Sequence, residues 1–252
     1  MTLLELKEFL DEKSNLYENP NFINDDPIQI PHLFRQKEDI EISGFITSVL
    51  TWGKRSTTIS KSKEIIKLMD YSPYEFVKNH SVKDLESFNH FVHRTFNSQD
   101  LKYYIKSLKN IYLNYHGLEK VFSENHKKNL QLSISSFRDI FFELPNFRTK
   151  KHIGNPKNKS AAKKVNMFLR WMVRSNERGV DLGIWKSISP SELSCPLDVH
   201  TGNTARKLGL LKRKQNDSLT VNELDKKLRD MDKEDPVKYD FALFGLGVNE
   251  KF

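Results

Sequence analysis

Pro196-Leu197-Asp198-Val199-His200-Thr201-Gly202-Asn203-Thr204-Ala205-Arg206-Lys207-Leu208-Gly209-Leu210 reads as one helix with both of its ends present. Pro196 restricts the chain entering the turn. Asp198 stands where a capping carboxylate accepts from the free N–H groups of a first helical turn. Gly209 closes a helix that runs from Val199 to Leu208. Aspartate before a helix is a cap first, but a carboxylate fixed in that way is also suited to face positive charge developing at a reaction centre.

Outward from this stretch the periodicity is helical nearly throughout. Leu3, Leu6, Phe9 and Leu10 form one face of a first helix. Ile40, Ile42, Phe45, Ile46, Val49 and Leu50 form a strongly apolar second, ending near Trp52-Gly53. Further helices are expected over 57–69, 73–79, 99–115, with Ser98 as the candidate cap, and 129–142. The clearest linker is Asn146 to Ser160, polar and basic, turning at Gly154-Asn155-Pro156. A helix from Ala161 to about Arg174 follows, with Val165, Phe168, Leu169 and Met172 as its core stripe. Residues 175–197 are rich in loops and carry Trp185. Leu219 to Met231 is another amphipathic helix, and a last one starts at Asp235-Pro236 and runs to Gly245-x-Gly247.

Period-two alternation is scarce, and the ten glycines and nine prolines sit at element ends, so no Rossmann or phosphate-loop motif is present. An all-α fold is expected. The chain of 252 residues is read as a single α-helical unit, open to division into two lobes: about 36–145, and about 1–35 plus 146–252.

Composition narrows the function. No apolar run approaches the roughly 18 residues that span a bilayer, and the acidic, amphipathic start is neither a secretory signal nor a transit peptide. One cysteine, Cys195, excludes an intrachain disulfide and a cysteine-ligated cluster. His80, His90, His93, His116, His126 and His152 show no pairing with carboxylates at metal-ligand spacing, so neither metal nor cofactor is expected. A cytoplasmic, nucleoid-associated location follows, and a monomer is expected.

The formal net charge of +8 is unevenly spread. Residues 1–50 hold ten acidic side chains against four basic ones. Residues 148–178 hold Arg148, Lys150, Lys151, Lys157, Lys159, Lys163, Lys164, Arg170, Arg174 and Arg178 against Glu177 alone. A second basic run extends from Arg206 to Lys214. Clustering of this kind suits a polyanion, DNA above all, although lysine-rich surface is often only solvated.

The stretch P-L-D-V-H-x-x-x-x-A-R-K-L-G-L resembles the P-V-D-T-H-x-x-R-x-x-x-R-L-G-L segment of the helix-hairpin-helix DNA glycosylase superfamily. Lys163-Lys164-Val165-Asn166-Met167-Phe168-Leu169 is similar to its K-T-A-N-V-V-L helix, and Tyr239 to Gly247 to its A-L-M-D-L-G helix. Ile46-Thr47-Ser48-Val49-Leu50-Thr51-Trp52 resembles A-T-I-L-S-x-Q. These matches keep the family order over roughly residues 40–250. In character they lie nearest to archaeal 8-oxoguanine glycosylases, which lack an iron–sulfur cluster. Two features depart from the pattern. The L-P-G-V-G hairpin is replaced by Gly154-Asn155-Pro156-Lys157-Asn158-Lys159-Ser160, a degenerate helix-hairpin-helix. Lys163 and Asp198 are also 35 residues apart, with residues of about 175–195 looking like an insertion.

What the resemblance implies is a two-lobed glycosylase-like fold and a base-excision glycosylase and abasic-site lyase, acting on a damaged base such as an oxidised purine. Lys163 would be the nucleophile, forming a Schiff base with the sugar, and Asp198 would stabilise the charge on that sugar. The base must leave the stack to be reached, and Trp52, Phe168, Trp171 and Trp185 are candidates to receive it. Lys157, Lys159, Lys164, Arg170, Arg206, Lys207, Lys212, Arg213 and Lys214 are candidate phosphate contacts. His200, in the first turn of its helix, has the weaker claim. Two other readings stay open: a non-catalytic DNA- or RNA-binding protein that keeps the glycosylase fold, and a helical scaffold for protein partners.

Overall fold

The computed structural model describes residues 2–124 and 130–252. His126 and the expected helix start at residue 129 fall outside the described residues. The chain is predominantly helical, as expected. Its main helices are α1 (Leu3–Tyr17), α2 (Lys37–Leu50), α3 (Arg55–Leu68), α4 (Pro73–Asn79), α5 (Ser98–Asn114) and α6 (Leu118–Glu124). They continue with α7 (Leu130–Phe141), α8 (Lys163–Val173), α9 (Val199–Lys207), α10 (Ser218–Met231) and α11 (Tyr239–Asn249). Val92–His93 and Phe96–Asn97 pair as a two-residue antiparallel hairpin. No helix among the described residues is long and apolar enough to cross a membrane.

Several helix starts are capped by side chains. Ser98 is not the cap of α5. That position belongs to Asn97, whose amide oxygen accepts from the Gln99 and Asp100 amides while Asp100 reaches back to the Asn97 N–H. Asp198 caps α9, and Gly209 follows in the left-handed conformation at φ 74°. The Asn155 side chain accepts from the Lys157 amide to start a single 3-10 turn, Pro156–Asn158. Lys159 (φ 62°) and Ala162 (φ 46°) then bend the chain into α8 through left-handed backbone that side chains rarely adopt.

Helix α2 is the central element. Every residue from Ile40 to Leu50 is buried, and the helix packs on α3 and α8. Its small residues allow close approach: a Cβ added at Gly44 would lie 3.0 Å from Met172 Cε. Two apolar clusters form. The larger draws on α2–α8 and on residues 153–193, with Val237 and Phe241. The smaller joins Leu6 and Leu10 of α1 to Cys195, Leu197 and side chains of α9, α10 and α11. Arg170 and Arg174 cross between elements as buried ion pairs. Arg170 Nη1 lies 2.6 Å from Asp240 Oδ2, and Arg174 Nη1 lies 2.6 Å from both Glu18 Oε1 and Asp181 Oδ2.

Residues 175–195 are structural rather than decorative. The Leu182 and Trp185 amides donate to the carbonyls of Trp171 and Met172, and Val180, Asp181, Trp185, Ile188 and Leu193 are buried. Trp185 Nε1 donates to Glu41 Oε1 at 2.7 Å, and Tyr112 donates to Glu41 Oε2 at 2.6 Å. Burial pushes the Glu41 carboxyl up to about 7, against the opposing pull of those two hydrogen bonds and of Lys37. Because the folded value lies above the unfolded one, the native state binds a proton more readily. Glu41 therefore lowers stability as pH rises from about 4.5 to about 7. Urea midpoints at pH 5 and pH 8 are expected to differ less in Glu41→Gln than in the wild type. An unchanged difference would place the titration elsewhere.

Candidate active site

Asp198 and Lys163 each begin a helix, and the fold brings the two starts together. Asp198 Oδ1 accepts from the Thr201 amide at 2.9 Å, the capping bond, which leaves Oδ2 to face Lys163 Nζ at 3.7 Å. Asn216 Nδ2 donates to the Asp198 carbonyl at 3.0 Å, and Arg206 Nη2 holds Asn216 Oδ1 at 2.6 Å. Arg206 and Asn216 thus fix the backbone that presents the carboxylate. Lys163 emerges from the first turn of α8, directly after the left-handed Ala162.

The pair opens onto a cavity of about 430 Å³. Phe22, Trp52, Met167 and Phe244 supply its apolar walls, and Asp26, Arg55, Arg170 and Asp240 its deeper polar groups. Burial pushes the Asp26 carboxyl up, opposed by the Ile28 amide and by the charges of Arg170, Arg55 and Lys163. The Asp240 carboxyl is likewise raised by burial and by Asp198, against the pull of Arg170. His200 lines the mouth, its ring 6.3 Å from that of Phe244.

The aromatic candidates divide sharply. Trp52 lies on the wall, 44% exposed, with the Arg94 guanidinium 5.1 Å and Lys164 Nζ 6.0 Å from its ring. Phe168, Trp171 and Trp185 do not reach the cavity. All three are buried in the larger core, where Phe168 packs edge-on against Phe45 and Trp185. Phe168 and Trp171 lie on faces of α8 that meet other elements, and Trp185 is carried inward by the irregular segment after α8; burial of that apolar area outweighs any exposed role.

The basic candidates also divide. Lys157, Lys159, Lys207, Lys212 and Lys214 are exposed. Arg170 is sequestered by Asp181 and Asp240, and is not free to meet a phosphate. Arg206 and Arg213 clamp the turn after α9: Arg206 Nε donates to the Arg213 carbonyl at 2.6 Å, and Arg213 pairs with Asp217 at 2.6 Å. Lys164 is mostly buried, with Nζ 2.5 Å from the Val49 carbonyl, and burial followed by the neighbouring Lys163 lowers it to about 8. Arg148, counted in the same basic run, pairs with Asp100. The positive stretch is therefore partly internal.

Phe22, Asp26, Arg55, Asp240 and Phe244 had no place among the sequence-derived site residues. Asp240 and Phe244 lie in a segment already singled out, but Asp26 and Arg55 carry no local signal. No group of three or more metal-ligating side chains occurs among the described residues.

Fold and site together define an α-helical protein with a lysine–carboxylate pair at the mouth of a part-polar cavity. Residues 26–249 match the family described as "Protein of unknown function (DUF2400)", and the chain belongs to it. No curated protein and no solved structure matches. The expected membership of the helix-hairpin-helix DNA glycosylase superfamily is corrected by this finding: a match spanning nearly the whole chain outweighs short segment likenesses, of which only the aspartate segment was specific.

Proposed function

We propose that the protein excises bases from DNA, as an N-glycosylase with abasic-site lyase activity that uses Lys163 as nucleophile and Asp198 as its carboxylate partner. One observation carries this reading: Lys163 Nζ and Asp198 Oδ2 lie 3.7 Å apart at the mouth of a cavity with aromatic walls. Their side chains are 30% and 20% exposed, so as an ion pair they add little to the fold, about 0–1 kcal/mol. The cavity lies within the roughly 300–1,000 Å³ range of small-molecule sites. The exposed lysines of the two basic runs suit the phosphates of a DNA duplex. A cytoplasmic, nucleoid-associated location goes with that substrate.

The chemistry balances. Lys163 gives up a proton to solvent, and the neutral Nζ forms a bond to C1′. The glycosidic bond breaks with its electron pair on the departing base, which is protonated from water. Opening of the sugar ring leaves an iminium between Nζ and C1′, with O4′ protonated. Loss of a C2′ proton then expels the 3′-phosphate. Asp198, kept in place by its capping bond, faces the positive charge on the sugar as it develops.

Borohydride delivers hydride to such an iminium and makes the bond permanent. The wild-type protein, in excess over a duplex with an abasic site, is expected to yield a covalent adduct on a denaturing gel. Absence of the adduct would overturn the reading.

A further inference from the structure

The cavity holds three cations, and two of them are paired. Arg170 is bound by Asp181 and Asp240, and Lys163 faces Asp198. Arg55, at the start of α3, makes no hydrogen bond or ion pair among the described residues. Its guanidinium lies over the Phe244 ring at 5.0 Å. Across the polar end stands Asp26, buried, with Oδ1 accepting from the Ile28 amide at 3.0 Å. We infer that Arg55 is the specificity-determining residue of the cavity, and that it selects bases presenting carbonyl oxygens and rejects cationic alkylated bases. The inference rests on the base-excision reading above.

The reasoning is one of donors and charge. A guanidinium offers five N–H donors and no acceptor, so its complement is a base edge with carbonyl oxygens. Contact with the Phe244 ring restrains the guanidinium, which limits the side-chain freedom lost when a base binds. Burial raises the Asp26 carboxyl, against the pull of Arg170, Arg55 and Lys163, and its Oδ1 is already taken by the Ile28 amide. A positively charged base such as 7-methylguanine would be repelled by the Arg55 guanidinium, while Asp198 and Asp240 are already engaged by Lys163 and Arg170. Oxidised and deaminated bases, with their added carbonyl oxygens, meet it favourably.

The test compares single-turnover excision from duplexes carrying 8-oxoguanine, uracil or 7-methylguanine with borohydride trapping on an abasic duplex, where no base is present. The wild type is expected to excise at least one of the two uncharged bases and to leave 7-methylguanine. In Arg55→Ala, excision of that base is expected to fall more than trapping does, by a further factor on the order of 10 to 100, the loss of a charged hydrogen bond. Equal losses on the two kinds of duplex overturn the inference, since Arg55 would then hold the backbone. Ready excision of 7-methylguanine also overturns it. A wild type that traps abasic DNA but excises no base overturns the inference and leaves the lysine reading standing. A wild type that traps nothing overturns both.

Discussion

Lys163→Ala is expected to remove the borohydride-trapped adduct on abasic DNA, leaving a yield lower by a factor of about 10² or more, whereas Lys164→Ala retains it. The contrast sets geometry against ease of deprotonation. Lys164, lowered to about 8, is the amine more readily made neutral near physiological pH. Its Nζ, however, donates to the Val49 carbonyl at 2.5 Å, and Lys164 is not part of the cavity lining. Reach decides before proton affinity does. An adduct that survives Lys163→Ala and disappears in Lys164→Ala would transfer the role. In the same assay series, Asp198→Asn separates the two duties of that residue. Asparagine caps a helix as well as aspartate, so stability should hold, while base excision should fall roughly 10²-fold with the loss of charge.

The largest expected effect on stability is at Arg174. Its guanidinium is 5% exposed and serves Glu18, Asp181 and Asp235, tying α1 and the segment before α11 to the end of α8. Arg174→Ala leaves Asp181, wholly buried, with only the longer contact to Arg170 at 3.3 Å. Breaking a buried pair from one side costs about 3–5 kcal/mol, and a whole domain holds only roughly 5–15 kcal/mol. Urea unfolding should register a correspondingly lower midpoint. Arg178→Ala, at an exposed side chain 3.8 Å from Glu18, should change stability by about 0.5 kcal/mol or less. Similar midpoints for the two variants would show that the buried network contributes no more than a surface pair.

Local features were legible in the sequence and long-range ones were not. The cap at Asp198, the closing Gly209 and the apolar face of α2 depend on neighbours within a turn or two, and each was readable. The proximity of Lys163 and Asp198 was expected from a segment resemblance, not from periodicity, and it stands in the geometry although the family attribution does not. Charge alone misled at Arg170 and Arg174, because a sequence does not say which carboxylates will face a guanidinium. The aromatic candidates misled for a related reason: α8 buries both Phe168 and Trp171 when α2 and residues 175–195 pack around it, and Trp185 is drawn inward from that irregular segment. Asp26 and Arg55 become site residues only when the turn at Pro27–Gln29, α3 and α11 converge, and no nearby residue announces that.

The convergence has a consequence for how the protein is made. Asp240 and Phe244 come from α11, the helix against which both α1 and α9 pack. The ribosome supplies α11 after every other wall of the cavity. A nascent chain in which Lys163 and Asp198 have already emerged still lacks the carboxylate that restrains Arg170 and the ring that orients Arg55. The cavity is therefore incomplete in a chain still under synthesis, and its wall is finished only when α11 docks.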